Sequence, residues 1–300
     1  LRSDPPVTLK NGQLVKVDLG CHIDGFIATA AHTIVVTGRK ADVIRAAYDA
    51  QEAAIRMLRA GKFANMEITG TIDNIASEYG VKAVENFLSH QLLRNKIDGE
   101  KTIIQNPGEK HRQEMEKCKF EKHEVYAIDI LFTTGEGKAK DRDTRTTVYK
   151  HSDEIVYQLK MKHSRTFFSD AVKKHGTMAF TLRSFEDEVK TKLGVGECEK
   201  HLLLKPYPVL YEKDGEVVAQ FKSTIAGIPL DATTLETDKS IKDATIVNLL
   251  AESLKPKAKK NKKPAAESAD AKTTNAKPAA PAAAAAKPPA EKKPTAAAKK

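Results

Sequence analysis

The chain has 300 residues and carries 50 Lys and Arg against 40 Asp and Glu, a formal net charge of +10 at pH 7. No apolar run approaches the length that crosses a bilayer, and three scattered cysteines have no metal-binding spacing. Composition therefore excludes a membrane-spanning protein and a disulfide-stapled scaffold, and it favours a reducing compartment.

The first predicted element is a β-hairpin. Apolar and polar residues alternate over 15–19, and Asp24-Gly25 supplies a turn before a second strand at 26–30. We expect this hairpin to place Asp18 and Thr29 roughly opposite each other. Asp18 taken alone is equally compatible with a functional site and with satisfying a turn.

Two later strands each carry an ionisable residue. The segment Leu88–Leu92 contains His90 and is followed by Asp98, and Glu124–Leu131 contains Asp129 among apolar residues. An unpaired buried charge is costly, so we expect Asp129 to have a partner.

The middle of the chain, at about 155–205, is predicted to be mainly helical. Lys160, Lys162 and Arg165 stand beside two phenylalanines at 167–168, a combination that could bind RNA. It is equally compatible with a helix whose phenylalanines are core and whose cations are solvated. The segments with helical patterning are 164–174, 182–193 and 197–204.

The last predicted strand is Val218–Thr224, which carries Lys222. Beyond it, Ile246–Leu250 approximates a short helical co-regulator box. Such an apolar stripe more often packs a helix on its own domain.

The excess positive charge lies in the C-terminal segment. Residues 255–300 hold 13 Lys, no Arg and 3 acidic residues, which leaves 37 charges of each sign in residues 1–254. Because this Lys-, Ala- and Pro-rich segment has no aromatic residue, we expect a disordered basic tail that contacts phosphates, carries a nuclear address or serves solubility. The candidate RNA-contacting lysines are Lys255, Lys257, Lys259, Lys260, Lys262 and Lys263.

These segments together resemble the proliferation-associated, ErbB-receptor-binding protein family, a non-catalytic branch of the type II methionine aminopeptidases of peptidase family M24. The resemblance runs from about Asn11 to Leu254, with uninterrupted matches at 36–44, 97–107 and 211–224. It implies an α/β (α+β) pita-bread fold over residues 1–254, two pseudo-symmetric halves of antiparallel sheet covered by helices. It also implies ligand-bearing strands at 124–131 and 218–224 and a helical insert at about 155–205. The family's N-terminal part has no counterpart here, so we expect a fragment, with a shortened connection after Val36.

The resemblance also implies five metal-ligand positions, of which two hold unusable residues. Thr29 and Lys222 stand where the family has carboxylates, and an ammonium has no lone pair to donate. We therefore predict a pseudoenzyme without metal or cofactor, in which the Lys222 ammonium occupies the metal space and pairs with Asp18 or Asp129. The alternative is an aminopeptidase that uses one metal. The degenerate metal-site positions are Asp18, Thr29, His90, Asp98, Asp129 and Lys222, with Asp98 replacing a substrate-facing His.

By the same resemblance, we expect a monomeric scaffold that binds ribosomes, structured RNA and regulatory proteins, including receptor tails and transcription co-regulators. The implied processes are ribosome biogenesis, translation control and growth-linked transcription. The implied locations are cytoplasm, nucleus and nucleolus, without membrane insertion.

Overall fold

A seven-stranded antiparallel sheet organises the chain, with strand order β1-β2-β12-β6-β4-β5 and β3 paired to β6. A computed structural model describes residues 5–35, 41–142, 144–225 and 241–251, all within the unit Leu1–Lys255. The proposed tail lysines lie outside the described residues. The strands of this sheet are β1 (Leu14–Ile23), β2 (Phe26–Val35), β3 (Lys82–Ala83), β4 (Phe87–Leu92), β5 (Thr102–Gln105), β6 (Val125–Thr133) and β12 (Val218–Thr224).

The hairpin strands form where alternation indicated them, and the strands that carry Asp129 and Lys222 form where the resemblance predicted them, but the hairpin register differs from the expectation. The two-residue turn at Asp24-Gly25 pairs Ile23 with Phe26, so Asp18 faces Ala31 and Thr29 faces Gly20. Asp18 and Thr29 are therefore diagonal neighbours on one face of the sheet, two positions apart, rather than opposite each other.

Helices cover the other face of the sheet. Ile128, Ile130 and Phe221 point into a core that they share with α1, α2 and α6. The helix α6 contributes Ile246, which is buried in this core with 3% of its surface exposed. The apolar stripe at Ile246–Leu250 therefore packs on its own domain. The helices are α1 (Ala41–Met57), α2 (Asn65–Glu78), α3 (Glu109–Glu114), α4 (Lys162–His175), α5 (Glu188–Lys200) and α6 (Ala244–Ala251).

The insert has its own small core and contains less helix than predicted. The two helices α4 and α5 pack against a three-stranded sheet of order β10-β8-β9. The predicted helices at 182–193 and 197–204 are replaced by a 3-10 turn at Leu182–Ser184, the single helix α5, and a strand that begins at Leu204. The remaining strands are β7 (Lys140–Asp141), β8 (Val148–His151), β9 (Ala179–Thr181), β10 (Leu204–Pro206) and β11 (Leu210–Tyr211), of which β7 and β11 form a separate pair.

The predicted α/β class is confirmed by this arrangement of sheets and helices. None of the described helices is long and apolar enough to cross a membrane.

Candidate functional site

A row of side chains runs straight across the face of the sheet that the helices leave uncovered. Ala31 is the register partner of Asp18 on one side and of Lys222 on the other, and Lys222 is also the partner of Asp129. Because directly paired residues in antiparallel strands project to the same face, four strands bring these side chains together.

The Lys222 ammonium lies between two carboxylates. Its Nζ is 2.8 Å from Oδ2 of Asp18 and 2.9 Å from Oδ2 of Asp129. The Asp129 side chain is 9% exposed and the Asp18 side chain 45%, so the inner pair is well shielded from water and the outer one is not. The ion pair predicted from the sequence is thus confirmed, and it involves both carboxylates.

Asp18, Lys222 and Asp129 form a charged triad, in which burial and charge have opposite effects on the pKa values. Burial alone lowers the pKa of the Lys222 ammonium, but the two carboxylates outweigh it and hold that pKa above its ordinary value. Burial raises the pKa of the Asp129 carboxyl, against the opposing attraction of Lys222 and the hydrogen bond from Gln220. Lys222 therefore remains a cation at neutral pH.

Gln220 is a site residue that the sequence did not single out. Its Nε2 donates to both oxygens of Asp129, at 2.9 and 3.2 Å. Its backbone is fixed by Thr33, whose hydroxyl donates to the Gln220 carbonyl and accepts from the Gln220 N–H. Gln220 lies two residues before Lys222 on one strand, so the two side chains project to the same face. This spacing could have identified Gln220 as a neighbour of the site.

The α1 helix holds the same strand from behind. With its amide oriented so that the oxygen faces β12, Gln51 accepts from the backbone N–H groups of Lys222 and Ser223. Gln51 is buried among apolar residues, so these bonds also satisfy its own side chain.

Thr29 lines the same pocket but bonds away from the triad. Its N–H donates to Oγ1 of Thr224 at 2.8 Å, and the Thr224 hydroxyl donates to the Thr29 carbonyl at 3.2 Å. The position thus serves the pairing of β2 with β12.

Asp98 and His90 form a second part of the pocket wall. Lys150 of β8 donates to Oδ1 of Asp98 at 2.5 Å and holds the pKa of that carboxyl below its ordinary value against the effect of burial. Burial lowers the pKa of His90, so its imidazole is neutral at pH 7, and its buried Nδ1 has no hydrogen-bond partner in the part of the chain that the structure describes.

These groups surround one cavity of about 460 Å³, with apolar walls that include Phe87, Leu88, Ile97 and Tyr207. All six positions predicted from the resemblance line it: Asp18, Thr29, His90, Asp98, Asp129 and Lys222.

The residues present do not fit a divalent metal ion. A cation already lies within hydrogen-bonding distance of both Asp18 and Asp129, and a metal there would face the Lys222 charge at short range. Within the described ranges, no group of three or more His, Cys, Asp or Glu side chains is arranged to hold a metal.

The candidate RNA-binding cations of the insert lie apart from this cavity's lining. Lys160, Lys162 and Arg165 are exposed at the start of α4, whereas the phenylalanines at 167–168 belong to the insert core. Arg165 also donates to the carbonyls of Leu159 and Lys160 at 3.1 and 2.6 Å. The aromatic residues are thus core, the two lysines are free to meet solvent, and Arg165 has a structural role as well.

Comparison with known proteins gives concordant matches. The sequence model of metallopeptidase family M24 matches residues 2–144. Proliferation-associated protein A of Dictyostelium discoideum is 41% identical over 283 residues, covering 88% of this chain and 72% of that protein. ERBB-3 binding protein 1 of Arabidopsis thaliana is 43% identical over 294 residues, covering 93% and 74%. The solved structure of a thermophilic Arx1 aligns with a TM-score of 0.75 and 27% identity over 83% of this chain and 76% of that one.

Proposed function

The chain belongs to the proliferation-associated, ERBB-3-binding protein family within metallopeptidase family M24 and has its pita-bread fold, and we propose that it is a non-catalytic scaffold. The observation that carries this proposal is the Lys222 ammonium between Asp18 and Asp129. A metallopeptidase needs those carboxylates to hold a metal that activates water, and here they neutralise a side chain of the same protein.

The other positions support the same proposal. Asp98 is tied to Lys150, and a carboxylate cannot donate a hydrogen bond to a developing oxyanion as an imidazolium or a neutral histidine can. Thr29 offers no carboxylate, and its hydroxyl lies 3.4 Å from the hydroxyl of Thr224. A one-metal site on Asp18, His90 and Asp129 would have to displace Lys222 first, and this weighs against the alternative of a reduced aminopeptidase.

The test compares metal content with turnover. We expect the purified protein to contain less than stoichiometric metal and to release no methionine from a short peptide under added cobalt or manganese. Stoichiometric metal together with turnover that His90→Ala abolishes would overturn the proposal.

For the binding activity, we propose that the scaffold associates with ribosomes and structured RNA through the basic tail at 255–300 and the exposed cations of the insert. The support is electrostatic, because the excess positive charge of the chain lies in that tail and Lys contacts phosphate as a point charge. This proposal includes roles in ribosome biogenesis, translation control and growth-linked transcription, with regulatory proteins as partners. It also includes a monomeric state and residence in cytoplasm, nucleus and nucleolus.

Two deletions of charge test it. Removing residues 255–300 should lower RNA affinity and flatten its dependence on salt. In the insert, Lys160→Ala with Lys162→Ala should weaken binding further, whereas Lys117→Ala with Lys122→Ala removes the same charge from another exposed segment and serves as the control. Arg165 is left intact because its guanidinium holds two backbone carbonyls. The proposal would be contradicted if RNA binding at low and moderate salt were unchanged both in the deletion of 255–300 and in the variant with Lys160→Ala and Lys162→Ala.

A further inference from the structure

Two lysines face each other across the insert sheet beside the pocket. Lys150 on β8 is the direct register partner of Lys205 on β10. Like charges placed directly opposite each other in an antiparallel pair are destabilising unless something of opposite charge lies near both. The pair therefore marks a place where an anion is stabilised.

Among the described residues, one carboxylate is supplied to this pair. Asp98 is 2.5 Å from the Lys150 ammonium, whereas Lys205 has no carboxylate within 4.0 Å among the described residues. The Lys150 side chain is only 13% exposed, so its charge is poorly screened by water. Two cations and one anion leave a net charge of +1 at this wall.

The opposite wall has the reverse imbalance. There, Asp18 and Asp129 share the single cation Lys222, which leaves a net charge of −1. The cavity is thus electrically polarised from the triad toward the insert, and a bound anion is stabilised at the Lys205 end.

The cavity has the other properties of a small-ligand site. It is about 460 Å³ and has apolar walls at Phe87, Leu88 and Ile97. His90 also lines it, and the buried Nδ1 of His90 has no hydrogen-bond partner among the described residues. Apolar walls with a few convergent polar groups are typical of pockets for small molecules.

We propose that the Lys205 end of this pocket binds the oxyanion of a small ligand, a phosphate monoester or a carboxylate, with Lys205 as its principal contact and Asp98 as an internal competitor. The ligand anion pairs with Lys205 and approaches Lys150, which Asp98 holds in its absence. The inference rests on the proposed non-catalytic state of the pocket, because a metal bound there would itself attract the anion.

The experiment titrates metal-free protein with inorganic phosphate, and separately with acetate, at constant ionic strength. The readout is the ¹⁵N signal of His90 in histidine-labelled protein, assigned by its loss in His90→Gln. We expect saturable phosphate binding with a dissociation constant on the order of millimolar. A response to phosphate alone restricts the site to phosphate-type oxyanions, and a response to both anions assigns it to oxyanions in general.

Two substitutions give opposite expected results. Lys205→Met keeps the length of the side chain and should weaken phosphate binding about tenfold, the usual effect of losing a charge-assisted hydrogen bond. Asp98→Asn removes the competitor and should tighten binding several-fold. Lys117→Met and Asp214→Asn make the same charge changes at exposed residues outside the pocket lining and should leave affinity unchanged.

Failure has a clear form. Absence of any His90 response to either anion, or an Asp98→Asn variant that is folded and binds more weakly, would overturn the inference. Because Lys205 is exposed, Lys205→Met tests the site without endangering the fold. A negative result would leave metal content and RNA binding untouched, so the proposed function stands or falls on its own measurements.

Discussion

Removal of the Lys222 charge is the perturbation to which the triad should respond most. In Lys222→Met, two carboxylates whose oxygens both lay within 2.9 Å of one ammonium lose it together. Removing one partner of a buried pair costs about 3–5 kcal/mol. Since Asp18 is 45% exposed and only Asp129 is deeply buried, we expect the low end of that range, about 3 kcal/mol of unfolding free energy.

The neighbouring variants fix the order of effects. Asp18→Asn breaks only the exposed arm and should cost about 1 kcal/mol or less. Asp129→Asn leaves Lys222 paired with Asp18 and should fall between the two. The double variant Lys222→Met with Asp129→Asn removes both members of the buried pair, so it should be clearly more stable than the sum of the single effects predicts.

The assay is urea unfolding at pH 7 with linear extrapolation, for which the slope reports whether the denatured state has changed. A Lys222→Met variant that costs no more than Asp18→Asn would refute the reasoning. Strict additivity in the double variant would do the same, because it would mean that Lys222 and Asp129 do not interact.

Three further outcomes follow from other parts of the structure. Combining Lys222→Glu with Thr29→Asp replaces the internal cation by ligand-type side chains and should allow stoichiometric Mn²⁺ or Co²⁺ binding, measured by elemental analysis after dialysis, whereas Thr29→Asp alone should bind none. Gly194→Ala should destabilise the insert by about 1–3 kcal/mol because the new Cβ would lie 2.6 Å from Cβ of Phe167. Gly196→Ala is the control on the same helix and should be neutral or stabilising, because no described atom lies within 4 Å of its new Cβ. Equal effects of the two variants in thermal unfolding would contradict this. Burial lowers the pKa of His175, so near the ordinary histidine pKa the unfolded chain binds more protons than the folded one. Stability should therefore fall as the pH drops through that region. His175→Gln should flatten this slope when the free energy of unfolding is measured from pH 7 to pH 5.

The hairpin strands were predictable from alternation, whereas the strands that carry Asp129 and Lys222 were predicted from the family resemblance. The predicted strand at Val218–Thr224 has the observed bounds of β12, and the strand that carries Asp129 differs from β6 only at its ends. The hairpin register was wrong by two positions, although the turn itself determines it. Once Asp24 and Gly25 are the two central residues, Ile23 pairs with Phe26 and Asp18 must face Ala31.

The insert was harder to predict because packing overrides local preference there. Glycines at 194 and 196 favour a helix break by propensity, yet α5 continues through both. Gly194 is needed at the point where α5 approaches Phe167 of α4, and that contact joins residues far apart in sequence. The opposition of Lys150 and Lys205 has the same origin, since no local pattern predicts which strands of the insert pair.

The triad also shows how the charges of Asp18 and Asp129 are compensated by the protein itself. The Lys222 ammonium supplies positive charge within hydrogen-bonding distance of both carboxylates. The dependence is mutual. The Lys222 side chain is 17% exposed, and if Asp129 were neutralised its ammonium would keep only the exposed carboxylate of Asp18 as a partner. Each member makes the loss of another costly, so we expect a metal-binding variant to need changes at Lys222 and Thr29 together. This coupling is what the double variants measure.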